Sequence, residues 1–173
     1  MGALQQDPIA VMRLLVDAEL RVFRGLHVEA IFLQNIIADL LLGLRAQSAF
    51  QEFVAYARRQ HGVNAGFITM NLPMMSGYLR ESGIEHPLVC ASFNKAGYLM
   101  NPSRQSYEAT ISGGGQSFVA MSVFASGAVP SREAVEYVQG FDHIEAVLFG
   151  ASSKQHIEET VSLFQNQPAA VAA

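Results

Sequence analysis

Residues 118–160 read FVAMSVFASGAVPSREAVEYVQGFDHIEAVLFGASSKQHIEET, and this stretch decides the fold. Phe118–Phe124 is a short apolar run that ends in Ala-Ser-Gly127. Pro130 or Ser131 then opens a helix that runs to Val138. Ala146–Ala151 is a second apolar run, and Ser152 to about Phe164 is a second helix. Neither run alternates apolar with polar residues, so each reads as a strand covered on both faces, as in a parallel sheet. The unit is therefore strand, loop, amphipathic helix, repeated.

Outward from this stretch the same unit recurs. Further buried strands are expected at Val28–Gln34, Ala65–Asn71 and Leu88–Asn94. Helices are expected over 8–25, where Asp7-Pro8 supplies a cap and a first-turn proline, and over 48–60, 76–81 and 102–111. Ser152 with Gln155 has the spacing of a capping box for the last helix. The order is one helix followed by five βα units, in a single domain spanning 1–173 with flexible ends at 1–7 and 165–173. Part of a (β/α)8 barrel and an open doubly wound sheet both fit this order. No G-x-G-x-x-G follows the first strand, which disfavours the dinucleotide-binding form of the open sheet. Gly113-Gly114-Gly115 precedes a strand, where a barrel has its non-catalytic face.

Composition narrows the functional classes. The chain has 173 residues, half of them apolar and 15% charged, with a mean hydropathy of +0.22. That is too apolar for a disordered chain. The run Ile36–Leu44, broken by Asp39 and Gly43, is far short of the roughly 20 residues that span a bilayer. Gln5, Gln6 and Asp7 stand where a signal peptide would carry positive charge, and cytoplasmic location is expected. One cysteine, Cys90, excludes an internal disulfide framework and a cysteine zinc cage, and no metal is expected. A net charge of -4 and a pI near 5.7 argue against nucleic acid as a partner.

The strand–turn–helix text of 118–160 resembles the end of an aldo-keto-reductase barrel, in which the eighth strand closes in a Gly-Ala-Ser-type turn before a helix carrying Ile/Leu-Glu-Glu. On that resemblance the five strands are strands four to eight. The middle motifs, Thr69-Met-Asn-Leu-Pro73 and Phe93-Asn-Lys-Ala-Gly-Tyr-Leu-Met-Asn-Pro102, differ from the family's usual ones, which marks a divergent relative. A whole barrel takes about 250 residues. The expected fold is thus a partial, TIM-barrel-like α/β repeat. Its open edges and apolar interior favour association, so a homo-oligomer is expected, with no nucleic-acid or membrane partner.

Chemistry in such a barrel sits at the carboxyl ends of the strands. The candidates there are Gln34, Asn71, Asn94, Lys95, Ser126, Gly127, Gly150, Ser152, Ser153 and Lys154. Free N–H groups at the start of the last helix suit an anion, with Ser152, Ser153 and Lys154 beside them. The resemblance implies that this region would grip the phosphate of NADPH, and Asn71, Asn94, Ser126, Gly127 and Gly150 would line the rest of the site. Ordinary helix capping and loop hydrogen bonding account for the same Asn and Ser residues equally well. Gln34 stands where the family carries its catalytic histidine. It can hydrogen-bond a carbonyl but cannot exchange a proton, so reductase turnover by this chain alone is not expected. Two other readings remain open: a Schiff-base lyase using Lys95 at the end of a strand, and a non-catalytic, self-associating half-barrel module.

Overall fold

The computed structural model describes residues 8–165. Helix α1 (Pro8–Val22) precedes β1 (Ala30–Leu33), α2 (Asn35–Gly43), α3 (Gln47–Tyr56) and β2 (Asn64–Thr69). Then follow α4 (Leu72–Glu81), β3 (Leu88–Ser92), α5 (Arg104–Ser112), β4 (Ser117–Met121), α6 (Ser131–Gln139), β5 (Ile144–Leu148) and α7 (Lys154–Gln165). The expected flexible ends lie outside the described residues, except for Gln165, which closes α7.

The five strands form one wholly parallel sheet in the order β1-β2-β3-β4-β5. This order separates the two candidate architectures. A doubly wound sheet reverses its strand order at a switch point, whereas here each strand lies beside its predecessor throughout. Right-handed crossovers then place every helix on the same side of the sheet. The result is an arc of barrel, with a helix-covered convex face and a concave face.

The register assigns side chains to these faces. Phe67, Val89, Ala91, Phe118 and Ala120 point to the helices and form the core with Phe50 and Phe53 of α3, Leu72, Met75 and Leu79 of α4, and Tyr107 and Ile111 of α5. Phe67 is central, with ring centroids 5.0 Å from Phe50 and 5.7 Å from Phe53. Phe32, Gly66, Ile68, Leu88, Cys90, Val119 and Met121 alternate with these residues and lie on the concave face.

Local chemistry sets the helix starts. Asn71 caps α4, its Oδ1 accepting from Met74 N–H at 3.2 Å, with Pro73 in the first turn. The helix therefore begins at Leu72, four residues before the expected start at Ser76. Ser103 caps α5 in the same way through Ser106 N–H, also at 3.2 Å. In α7 the capping oxygen belongs to Ser153, which accepts from His156 N–H at 3.2 Å, one residue beyond the expected Ser152. The helix α2 was not expected. Its residues, Asn-Ile-Ile-Ala-Asp-Leu-Leu-Leu-Gly, are apolar almost all round and carry no helical periodicity for a pattern to detect. Its single charge, Asp39, is drawn inward: it accepts from Thr69 Oγ1 at 2.5 Å and from Met70 N–H at 2.9 Å, fastening α2 to the end of β2.

Among the described residues, no helix is long and apolar enough to cross a membrane. None of their His, Cys, Asp and Glu side chains forms a group of three or more able to hold a metal ion.

Candidate functional site

At the carboxyl ends of β4 and β5 the chain forms an open cavity of about 480 Å³. One wall is Ser122, Val123 and Phe124, directly after β4, followed by Ser126 and Gly127 of a tight 3₁₀ turn (Ala125–Gly127). The opposite wall is Leu148, Phe149 and Gly150 at the end of β5, and Tyr98 and Leu99 reach in from the loop between β3 and α5. The volume falls within the range typical of small-molecule sites, about 300–1,000 Å³. Polar groups are few: the hydroxyls of Ser122, Ser126 and Tyr98, and the backbone. No carboxylate, imidazole or amine lines the cavity.

The backbone around this cavity is strained. Leu99, Ser122, Ala125 and Ser126 all have left-handed conformations, with φ between 47° and 58°, and Gly127 follows at 90°. Only glycine adopts that region without steric cost, and each other residue costs on the order of 1–2 kcal/mol there. The strain is held by a compact set of hydrogen bonds. Ala125 N–H donates to Ser122 O at 2.9 Å, and Gly127 N–H donates to Phe124 O at 2.8 Å. Ser92 Oγ donates to Ser122 Oγ at 3.2 Å.

Asn94 fixes the two sides of the cavity to each other from behind. It is fully buried. Its amide nitrogen donates to Tyr98 O at 2.9 Å and to Ser122 O at 3.2 Å, and its Oδ1 accepts from Tyr98 N–H at 2.8 Å. Asn94 thus positions the wall and does not line it.

The structure places the other sequence candidates as follows. Ser126, Gly127 and Gly150 share the cavity. Asn71 caps α4 beyond β2. Gln34 is exposed before α2, where its carbonyl accepts from Ile37 and Ala38 N–H, and it borders a separate apolar groove beside β1. The Lys95 ammonium pairs with Glu133 of α6 at the surface, and the Lys95 carbonyl takes Arg104 Nη1 at 2.7 Å. That is a solvated, ion-paired setting, without the apolar enclosure that activates an amine as a nucleophile. Ser152, Ser153 and Lys154 are exposed in and before the first turn of α7, outside the cavity lining. Ser152 Oγ lies 3.3 Å from His156 Nδ1, and Lys154 Nζ lies 3.4 Å from Glu158.

Tyr98, Leu99, Phe124 and Phe149 were not singled out in the sequence, although they line the cavity. The signal that would have found Tyr98 and Leu99 is backbone conformation: Gly97, at φ 74°, and Leu99 turn the loop back over the strand ends.

No family model matches this chain, and no curated protein matches it. Among solved structures it is similar to a chain described as a "Putative aldo-keto reductase" from Pseudomonas aeruginosa, with a TM-score of 0.68 and 16% identity. The match covers 90% of this chain and 58% of the length of the other. The two share a fold: this chain has the architecture of part of an aldo-keto-reductase-like barrel.

Proposed function

We propose that this chain binds a phosphate-bearing ligand of the nucleotide class, such as NADPH, at the carboxyl ends of β4 and β5 and does not itself carry out reductase turnover. The observation behind this reading is the cavity itself, a pocket of ligand size walled by strained backbone and aromatic side chains. Its residues fit such a group. Tyr98, Phe124 and Phe149 offer flat apolar surfaces to a ring system. Gly150 leads, four residues on, into the exposed first turn of α7, where Lys154, now beside Glu158 and outside the cavity lining, would have to turn to reach a phosphate. A bound NADPH would supply a hydride. Carbonyl reduction also needs a proton. The Tyr98 phenol is in the lining, but no carboxylate, imidazole or amine lines the cavity with it to activate or resupply that proton, which is the reason for proposing binding without turnover.

The test is a titration of NADPH emission with the protein, which contains no tryptophan. Saturable enhancement is expected, weakened by inorganic phosphate and by Lys154→Ala. Gly150→Leu should abolish it without unfolding the chain, because a Cβ at Gly150 meets nothing within 4 Å and points into open space. No saturation at high micromolar protein would overturn the reading.

A further inference from the structure

The opposite edge of the sheet carries a second feature that the cavity does not explain. Helix α2 is apolar almost all round, its one charge, Asp39, being turned inward, and a helix with that composition is normally buried on every side. Here Ala38 and Leu42 are buried, whereas Ile36, Ile37, Leu40 and Leu44 are 44–69% exposed. Helix α1 repeats the pattern. Val16 faces the core, and a second stripe of Val11, Leu14, Leu15, Ala18 and Val22 runs at i, i+3, i+4, i+7 and i+11 along its outer side. Most nearby charges are turned to partners of their own, although the exposed Glu19 of α1 lines one side of the groove. Arg13 is taken by Glu52, Asp17 by Tyr56 and His61, and Asp39 by Thr69.

The eight exposed Val, Leu and Ile side chains on α1, on α2 and at Leu44 just after it are each 43–80% exposed, a larger apolar run than a monomer ordinarily shows and suited to a stable interface.

We infer that the α1–α2 face is the contact surface of a closed twofold dimer of this chain. Shape argues for a second copy as the occupant. Between α1 and α2, over β1, lies an apolar groove of about 620 Å³ bordered by Val11, Leu15, Leu33, Ile37 and Leu41. Beside it, on the same patch, Ile36, Leu40 and Leu44 project outward. A ridge next to a groove on one surface is what a twofold axis requires, because each copy's ridge enters the other's groove. Head-to-tail pairing of β5 with β1 fits less well, since five strands at barrel curvature cover about five-eighths of a ring and two such arcs exceed one turn. The β4–β5 cavity lies at the other end of the sheet, so the dimer does not depend on the ligand reading.

The test is sedimentation equilibrium of the full chain from low to high micromolar. A single species of twice 18.8 kDa is expected. Ile36→Lys and Leu40→Lys should each give a monomer with unchanged far-ultraviolet circular dichroism and unchanged NADPH response, whereas Leu148→Lys, at an exposed site on β5, should remain dimeric. Should the lysine variants unfold, Leu40→Cys under mild oxidation should give a covalent dimer that Leu148→Cys does not. A monomer at all concentrations, open-ended association, a dimer indifferent to both lysine variants, or binding to anionic vesicles lost in Ile36→Lys would overturn the inference.

Discussion

Asn94 donates one amide hydrogen to the carbonyl oxygen of Ser122, 28 residues away in sequence and 3.2 Å away in space, while the rest of its amide holds Tyr98. One fully buried side chain therefore holds two loops at the cavity. Asn94→Ala should lower stability by about 1–3 kcal/mol, because it leaves the part-buried Tyr98 N–H and C=O unpaired, while Ser122 O keeps its bond from Ala125 N–H. Asn94→Asp, nearly identical in shape, should cost at least as much, since it places a second acceptor against the Ser122 and Tyr98 carbonyls. Urea unfolding with an unchanged slope and a lower midpoint is the expected result.

Gly66 faces Phe32 across the β1–β2 pair, and a Cβ at position 66 would overlap the phenyl ring. Gly66→Ala should destabilise by about 1–3 kcal/mol through overpacking. Gly66→Ala combined with Phe32→Leu, which removes the ring that the new Cβ meets, should recover most of the loss. The measurement is a double-mutant cycle by thermal unfolding.

Cys90 is 1% exposed in β3, and burial pushes its thiol up to about 11. In the native protein it should resist a thiol reagent at pH 8, and it should react fully once urea unfolds the chain. The sign of the pH dependence follows from the raised value. The unfolded thiol ionises first, so this contribution to stability is intact below about pH 9 and is lost as pH rises toward about 11. Cys90→Ala should remove that component of the alkaline decline.

Asp17 on α1 accepts from Tyr56 Oη at 2.8 Å and from the His61 ring nitrogen at 2.8 Å, tying α1 to the end of α3 and to the π-turn that follows it. The Tyr56 hydroxyl, then His61, hold the Asp17 carboxyl below its ordinary value. A lowered folded value means that the linkage is fully present above the ordinary carboxylate range and is lost as pH falls through and below that range. Tyr56 responds in the opposite sense. Asp17 raises its phenol, so its contribution holds below the ordinary tyrosine value and fades above it. Asp17→Asn should flatten the acid limb of the stability profile, followed by circular dichroism at fixed urea.

Much of this arrangement is legible in the residues. All five strands announce themselves as short apolar runs punctuated by Gly, Pro, Asn or His, but the expectation of burial on both faces holds best for β3. Strand β1 is only half-buried, and β5 starts at Ile144, two residues before the expected Ala146, carries Glu145 and is largely exposed at the edge of the sheet. Ser126, Gly127 and Gly150 can be located by one rule, that barrel loops after strands meet at a common mouth. Other features escape for identifiable reasons. Helix α2 has no polar side to mark its period. Asn94 is indistinguishable in sequence from any loop asparagine until the fold brings Ser122 to it. Leu99, Ala125 and Ser126 are residues from which no one would infer a left-handed turn. Tertiary hydrogen bonds impose that turn, and it leaves no compositional trace.

The consecutive order of the strands also bears on how the chain is assembled. Every strand lays down its hydrogen bonds on the strand completed just before it, and none waits for a later segment to fill a gap. Three of the four crossovers carry one α-helix and the first, from β1 to β2, carries two. Closure entropy grows only slowly with loop length, so it stays similar at each step. A chain emerging from the ribosome can therefore grow its sheet outward from β1 by accretion, each new βα unit templated by an existing edge.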